Sequence, residues 1–265
     1  MVKPVIIQLI ADYGTGDPAF GEVIQKLTFL DRHIRVHAMS VPAFSTVATG
    51  IWISQFATVN AFPGLIVYSN TAPRITMKKL KESTDGGRLL YTKLDDGAEI
   101  IAVNSDYVFS FVKHRIRSLH VVNVKNVGSQ FRSRDYYPDA VVAIADGNHD
   151  LIGKKVDVSS IPDAPADLIG FVDGYGNLKT TLRRSHMKLP VGTPVNVTVN
   201  RITRRGVVAD ETYNVKDGGV SFAPGSTGGT DRFMEIWVRG GSAWQAFGKP
   251  NVEEKFTVRR RPATS

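Results

Sequence analysis

The 265-residue chain contains no cysteine. That excludes a disulfide framework, a thiolate nucleophile and any cysteine-ligated metal site. Long apolar runs are missing as well. The N-terminal run Val5–Ile10 is too short for the hydrophobic region of a signal peptide and far short of the ~20 residues of a membrane span. A cytoplasmic protein with no membrane partner is the expectation. The six histidines form no H-E-x-x-H or comparable set, so no metal site is expected. Neither G-x-x-x-x-G-K-S/T nor G-x-S-x-G occurs. Zinc-finger spacing and the aromatic-plus-glycine motif of RNA-binding sheets are also missing.

What remains is ordinary for a globular chain: 42% hydrophobic and 22% charged residues. The net charge of +8 suits anionic partners. Yet the basic residues are scattered, apart from Lys78-Lys79-Leu80-Lys81, Arg183-Arg184, Arg204-Arg205 and Arg259–Arg261. Nucleic acid is therefore not the expected partner.

The stretch Val5–Leu27 organises the N-terminal half. Val5–Ile10 reads as a buried strand that ends at Asp12. Gly14-Thr15-Gly16 turns the chain, Asp17 suits an N-cap and Pro18 a first helical position. Phe20, Val23, Ile24 and Leu27 then recur at helical spacing. A carboxylate thus sits at the carboxyl end of a strand, beside a glycine turn and a helix start, where open α/β sheets bind ligands. The same aspartate would serve equally as a simple cap.

His33–Ala38 and Leu65–Tyr68 read as further strands and Phe44–Val59 as a helix between them. Strand, helix, strand, helix, strand is the α/β pattern, so the N-terminal part is expected to be a largely parallel sheet flanked by helices. Arg74–Asp96 reads as a hairpin or surface loop. Glu99–Val103 and Leu119–Val124 read as strands. Tyr107–Val112 is a short helix or turn, and Tyr136–Ala145 a helix. From Ile169 onward short strands alternate with turns: Ile169–Asp173, Leu178–Leu182, Pro194–Val199, Gly206–Tyr213, Phe233–Val238 and Glu254–Val258. The expected domains are an α/β nucleoside-binding domain at residues 1–150, a linker at 151–165 and an all-β barrel-like domain at 166–265.

Three C-terminal segments can carry chemistry or simply turn the chain. Asp173-Gly174-Tyr175-Gly176-Asn177 joins two strands. Gly225–Thr230 is a loop that could wrap a ligand or link strands. Arg239-Gly240-Gly241-Ser242-Ala243 could bring backbone against a flat ring or start a short helix.

In chain order these segments resemble one family, the S-adenosylmethionine hydroxide adenosyltransferases and their fluorinase and chlorinase relatives. Ala11-Asp12-Tyr13-Gly14-Thr15-Gly16-Asp17 resembles the family's T/S-D-F/L-G-T-x-D. Val41-Pro42-Ala43-Phe44 lies where the family has a proline followed by an aromatic. Phe62-Pro63-Gly64 matches F-P-x-G. Gln130-Phe131-Arg132-Ser133-Arg134-Asp135 resembles T-F-H/Y-G/S-R-D/E, and Val172–Asn177 resembles V-D-x-F-G-N. Met234–Ala243 resembles L-E-I-A-V-N-x-G-S-A.

The resemblance implies an α/β domain followed by a β-barrel, in a homotrimer whose sites lie between subunits. It implies S-adenosylmethionine as substrate, with no separate cofactor, attacked at C5′ so that methionine leaves. Asp12 would hold the ribose hydroxyls, with Phe44 on the ribose and Phe131 among the substrate contacts. Asp17 and Asp173 would face the methionine end. Asn177 and the backbone at Gly240 and Gly241 would read adenine, and Ser226 would meet the carboxylate. Water or hydroxide is the expected nucleophile, and halide is the alternative. A binding protein without turnover is a further one.

The hydrolases' Asp, Arg and His fall on Ala72, near Lys79 and on Arg132. Ser133 occupies the fluorinase serine's place, either gripping the nucleophile or capping a helix, and Thr227 stands where a halogenase has an arginine. Ser133, Arg132 and Lys79 are the catalytic candidates.

Overall fold

The first strands of the chain form a parallel set, and all but the second are apolar and mostly buried, as strands covered by helices must be. In the computed structural model, which describes residues 5–72, 87–125, 128–210 and 215–262, they are β1 (Ile6–Ala11), β2 (Arg35–Ser40), β3 (Leu65–Asn70) and β5 (Glu99–Val103). All pair in parallel. β2 is the edge, which explains its exposed Arg35, His37 and Ala38.

Beyond β5 the sheet changes character. β4 (Leu89–Lys93), β6 (Leu119–Val122) and β7 (Ile152–Val156) join antiparallel. The order is β2-β1-β3-β5-β4-β6-β7. The sheet is therefore mixed rather than largely parallel. Of the two readings of Arg74–Asp96, the hairpin fits its end: Leu89–Lys93 pairs antiparallel with β5 and is buried between β5 and β6, while residues 73–86 lie outside the described residues. Likewise, β7 pairs with β6, so part of the expected linker at 151–165 is a strand of this sheet. By its contacts the chain divides into Met1–Asp163 and Ala164–Ser265.

Helix α1 (Pro18–Leu30) starts as its sequence indicates, with the Asp17 carboxylate accepting from Ala19 N at 2.8 Å. Helix α2 (Thr46–Thr58) is capped by Ser45 and buried on most sides. At Gly50 a side chain would stand 2.4 Å from Tyr107 O, so only glycine lets the helix pass that close. Tyr107–Val112 is a series of turns followed by a 3-10 turn at Lys113–Arg115 rather than a helix. A short helix, α3 (Arg132–Asp135), precedes α4 (Tyr137–Ala145), which is the helix expected at Tyr136–Ala145.

The second unit is built on β8 (Ile169–Val172), β9 (Leu178–Arg183), β10 (Pro194–Val199), β11 (Ile202–Val208), β12 (Val220–Pro224), β13 (Phe233–Val238) and β14 (Phe256–Arg260). Their order is β14-β10-β11-β12-β13-β9-β8, antiparallel except for β11 with β12. The sheet curls until its edge strands approach. Leu168 bridges Lys255, and Phe256 N donates to Asp167 O at 2.9 Å. Val195, Val197, Phe222, Met234, Ile236 and Phe256 fill the interior with α5 (Ala243–Ala246) and Phe247 at its side. β12 has no counterpart in the sequence reading. Among the described residues, no helix is long and apolar enough to cross a membrane.

Candidate functional site

In the first unit the candidate residues gather where the parallel strands β1 and β3 end. Asp12 follows β1. Its Oδ2 accepts from Phe44 N at 3.0 Å, in the turn after β2, and from Ala72 N at 3.2 Å, just after β3. One carboxylate therefore ties the loops after β2 and β3 to the end of β1. Burial pushes its pKa up, and the backbone N–H groups oppose that shift without cancelling it. Ala72 serves here as a backbone donor.

Phe44 has φ of 62° and a 47% exposed side chain. A non-glycine residue in that region costs ~1–2 kcal/mol, and strain of this kind collects at functional positions. The strain is held by the Phe44 N–H bond to Asp12.

Beside Asp12, Tyr13 turns inward. Its hydroxyl donates to Ser133 Oγ at 2.6 Å and accepts from Asn70 Nδ2 at 3.1 Å. Tyr68 donates to Ser133 O at 3.0 Å. Burial raises the Tyr13 phenol to about 12, so it stays protonated and can keep donating. The Tyr13 ring packs edge-on against Phe20 and Phe131. Ser133 is buried within α3 and is not an N-cap; Phe131 occupies that position without a side-chain bond. Sequence reasoning named Tyr13 only as part of a motif and missed Asn70 and Tyr68. Polar groups at the ends of apolar strands were the available signal.

Other candidates behave differently. Asp17 is spent on capping α1. The Arg132 guanidinium lies 5.7 Å from the Tyr137 ring centre, beside Gly87. Phe131 also carries the Arg134 guanidinium at 4.9 Å. Lys79 lies outside the described residues.

In the second unit, Asp173 closes its own turn. Oδ1 accepts from Tyr175 N and Asn177 N, each at 3.0 Å, and Oδ2 from Asn177 Nδ2 at 3.0 Å. Gly176 holds φ of 81° with Ser242 Oγ 2.1 Å from where a Cβ would stand, so the turn packs directly on the α5 N-terminus. Ser242 caps that helix, which is the plainer of the two readings of Gly240-Gly241-Ser242. Gly240 and Gly241 are exposed before it.

A buried ion pair went unforeseen. Lys179 Nζ lies 2.6 Å from Glu235 Oε1, and their side chains are 5% and 1% exposed. Glu235 Oε1 also accepts from Ser226 N at 3.2 Å. Asp173, Asn177 and Ser226 thus belong to one cluster in this unit. A signal was present at Glu235, which interrupts the apolar strand β13; Lys179 lies in a strand of mixed polarity and gave none.

Fold and geometry together define a two-unit α/β protein with a carboxylate seated at the carboxyl ends of parallel strands. No protein-family model matches the sequence, nor does any curated protein. Solved structures do resemble it. An uncharacterized conserved protein from Thermotoga maritima superposes with a TM-score of 0.73 at 16% identity, covering 96% of this chain and 100% of that one. A conserved hypothetical protein from Thermus thermophilus gives a TM-score of 0.68 at 19% identity, with the same coverage of 96% and 100%. At these identities the likeness is one of fold.

Proposed function

We propose that the protein cleaves S-adenosylmethionine at C5′, with water or hydroxide as nucleophile, giving adenosine and L-methionine. The observation that carries this reading is the Asp12 carboxylate, partly buried at the strand ends. Among the described residues both loop N–H groups bond its Oδ2, which leaves Oδ1 acceptor capacity for a ribose diol, a group a carboxylate binds well. The strained, exposed Phe44 beside it offers an apolar face to the sugar. In the displacement a C5′–O bond forms as the C5′–S bond breaks. The electron pair passes to sulfur, which neutralises the sulfonium, and the water proton leaves to solvent. Holding the nucleophile in line and stripped of bulk water is the protein's contribution.

Halide is the second reading, favoured by the chain Asn70 to Tyr13 to Ser133. Asn70 donates to Tyr13 and Tyr13 donates to Ser133. The Ser133 hydroxyl proton is then directed onward, suited to an anion or a water. In this reading Asp173, Asn177 and Ser226 receive the rest of the substrate, from a neighbouring subunit of a homotrimer.

Incubating purified protein with S-adenosylmethionine, with and without chloride, tests the proposal. Chromatography showing adenosine and methionine supports hydrolysis. A chloride-dependent halo-adenosine peak supports the halide reading. Ligand retained without product leaves a binding protein, and no binding at all defeats the proposal.

A further inference from the structure

Residues 164–265 carry 15 Lys and Arg against 9 Asp and Glu. Two of the basic runs, Arg204-Arg205 and Arg259–Arg261, lie far apart in the chain, and the fold brings them to either side of one strand. β10 lies between β11 and β14 and pairs antiparallel with both. Its Val195, Val197 and Val199 fill the interior, so the alternation of a strand turns Asn196 and Thr198 outward. Register fixes what stands beside them. Asn196 faces Arg205 on one side and Arg259 on the other. Thr198 faces Thr203 and Thr257 in the next row. Arg261 N donates to Pro194 O at 2.9 Å, which continues the ladder and puts Arg261 on the face of Arg259.

This outer face is polar, basic and open. Arg205, Arg259, Thr203 and Thr257 are exposed. No residue of β10, β11 or β14 is acidic. Among the described residues Arg205, Arg259 and Arg261 form no ion pair, whereas Arg115, Arg117 and Arg134 of the first unit are each matched to a carboxylate. Charge on an edge strand often only keeps other strands from pairing there. That accounts for Arg259 and Arg261 beside the β14 edge, but not for Arg205 on β11, an inner strand of the sheet. The three guanidiniums form a patch of unbalanced positive charge, and its complement is an anion with several charges spaced to match.

We propose that the face of β11, β10 and β14 binds the phosphate backbone of double-stranded DNA without reading its sequence. Arginine, asparagine and threonine are side chains that contact phosphate and sugar oxygens. Arg205 and Arg259 stand two strand spacings apart, about 10 Å at the backbone. That is close to the ~12 Å width of the B-form major groove. Each guanidinium can therefore reach one of the two phosphate rows bordering the groove, with Asn196 and the threonines between them. A-form RNA has a deep, narrow major groove that does not offer this spacing. The outer face of these strands carries no aromatic side chain, since Phe256 points into the interior. The stacking platform that single-strand binders use is thus missing. The site is independent of the substrate reading above and shares no residue with it.

The test measures binding of the full-length protein to a labelled DNA duplex of mixed sequence, by fluorescence anisotropy over a range of salt. The wild type should bind at low salt, with log affinity falling against log salt at a slope of about −2 to −3 for three arginine–phosphate contacts. Arg205→Gln combined with Arg259→Gln should weaken binding roughly 10-fold and make the slope shallower by about 2. Lys188→Gln combined with Lys216→Gln removes the same charge from exposed positions outside these strands and should change affinity by less than about 2-fold. All four are surface changes that the fold tolerates, which thermal unfolding checks. A duplex that does not bind overturns the proposal. So does a lysine pair that loses as much as the arginine pair, or a salt slope that the arginine pair leaves unaltered. Equal affinity for duplex RNA, single-stranded DNA, an acidic peptide or anionic lipid vesicles overturns it too, by naming another partner. Binding of S-adenosylmethionine should be the same in the arginine pair as in the wild type, so the substrate reading stands or falls separately.

Discussion

Asp12 is a residue whose charge the fold disfavours. Its carboxylate is raised on folding. In strong acid both states are protonated and the group is neutral in its effect. Above the unfolded pKa, ionisation favours the unfolded chain, so the cost persists at neutral pH. Asp12→Asn keeps an oxygen for the Phe44 and Ala72 N–H groups and removes the charge. It should raise the melting temperature at pH 7 by about 1–3 °C, with the gain vanishing near pH 3. The same change should weaken S-adenosylmethionine at least 10-fold in calorimetry, and Asp12→Ala should abolish binding; unchanged affinity refutes the site. Tyr13→Phe probes the neighbouring chain. It removes the donor to Ser133 and the acceptor for Asn70, a loss of about 1–3 kcal/mol for buried partners. If Ser133 meets the nucleophile, kcat should fall while KM holds; stability loss with unaltered kcat would leave Tyr13 a structural residue.

At the scale of elements, the turn Asp173–Asn177 and the loop at Gly225 depend on backbone that side chains cannot enter. Gly176→Ala introduces a Cβ 2.1 Å from Ser242 Oγ at φ of 81°. Denaturant unfolding should register a loss of about 1–3 kcal/mol. Ser242→Ala in the same background should recover part of it by making room, even though it removes the α5 cap. Full additivity of the two losses would mean that the clash is relieved elsewhere. The elements also show what local pattern can convey. Asp17-Pro18 and the 3.6-residue period placed α1, and the apolar run placed β3. Leu89–Lys93 could be read as an arm of a hairpin, since its partner β5 follows directly, but its central position comes from its other edge pairing with β6, which lies further along the chain. β12 was passed over between the glycines of Gly218-Gly219 and Gly225; the burial of Ser221 together with Phe222 was not legible in a stretch that short.

At the scale of the molecule, the proposed function divides the substrate contacts between copies of the chain. If sites form between subunits of a homotrimer, inactive variants should complement one another. Mixing Asp12→Ala with Asn177→Ala subunits, dissociated and reassembled at equal ratio, should restore about a quarter of the wild-type activity, since one interface in four then pairs two intact halves. Light scattering reports the oligomer directly. A monomer, or a mixture as inactive as its components, would remove the inter-subunit arrangement.

By itself the sequence determined the coarse division into a helix-bearing first half and a strand-dominated second half, the start of α1 and the candidates Asp12, Asp173 and Asn177. Those follow from near-neighbour physics: side-chain period, capping and the backbone demands of glycine. Only tertiary structure decided that the first sheet is mixed, that Ile152–Val156 belongs to it, and that Ser133 hangs from Tyr13 rather than capping a helix. It alone joined Lys179 to Glu235, 56 positions apart in the chain. Charges separated so far along a chain meet only when strands pair, and burial, which gives such a pair its energetic weight, is a property of the assembled core.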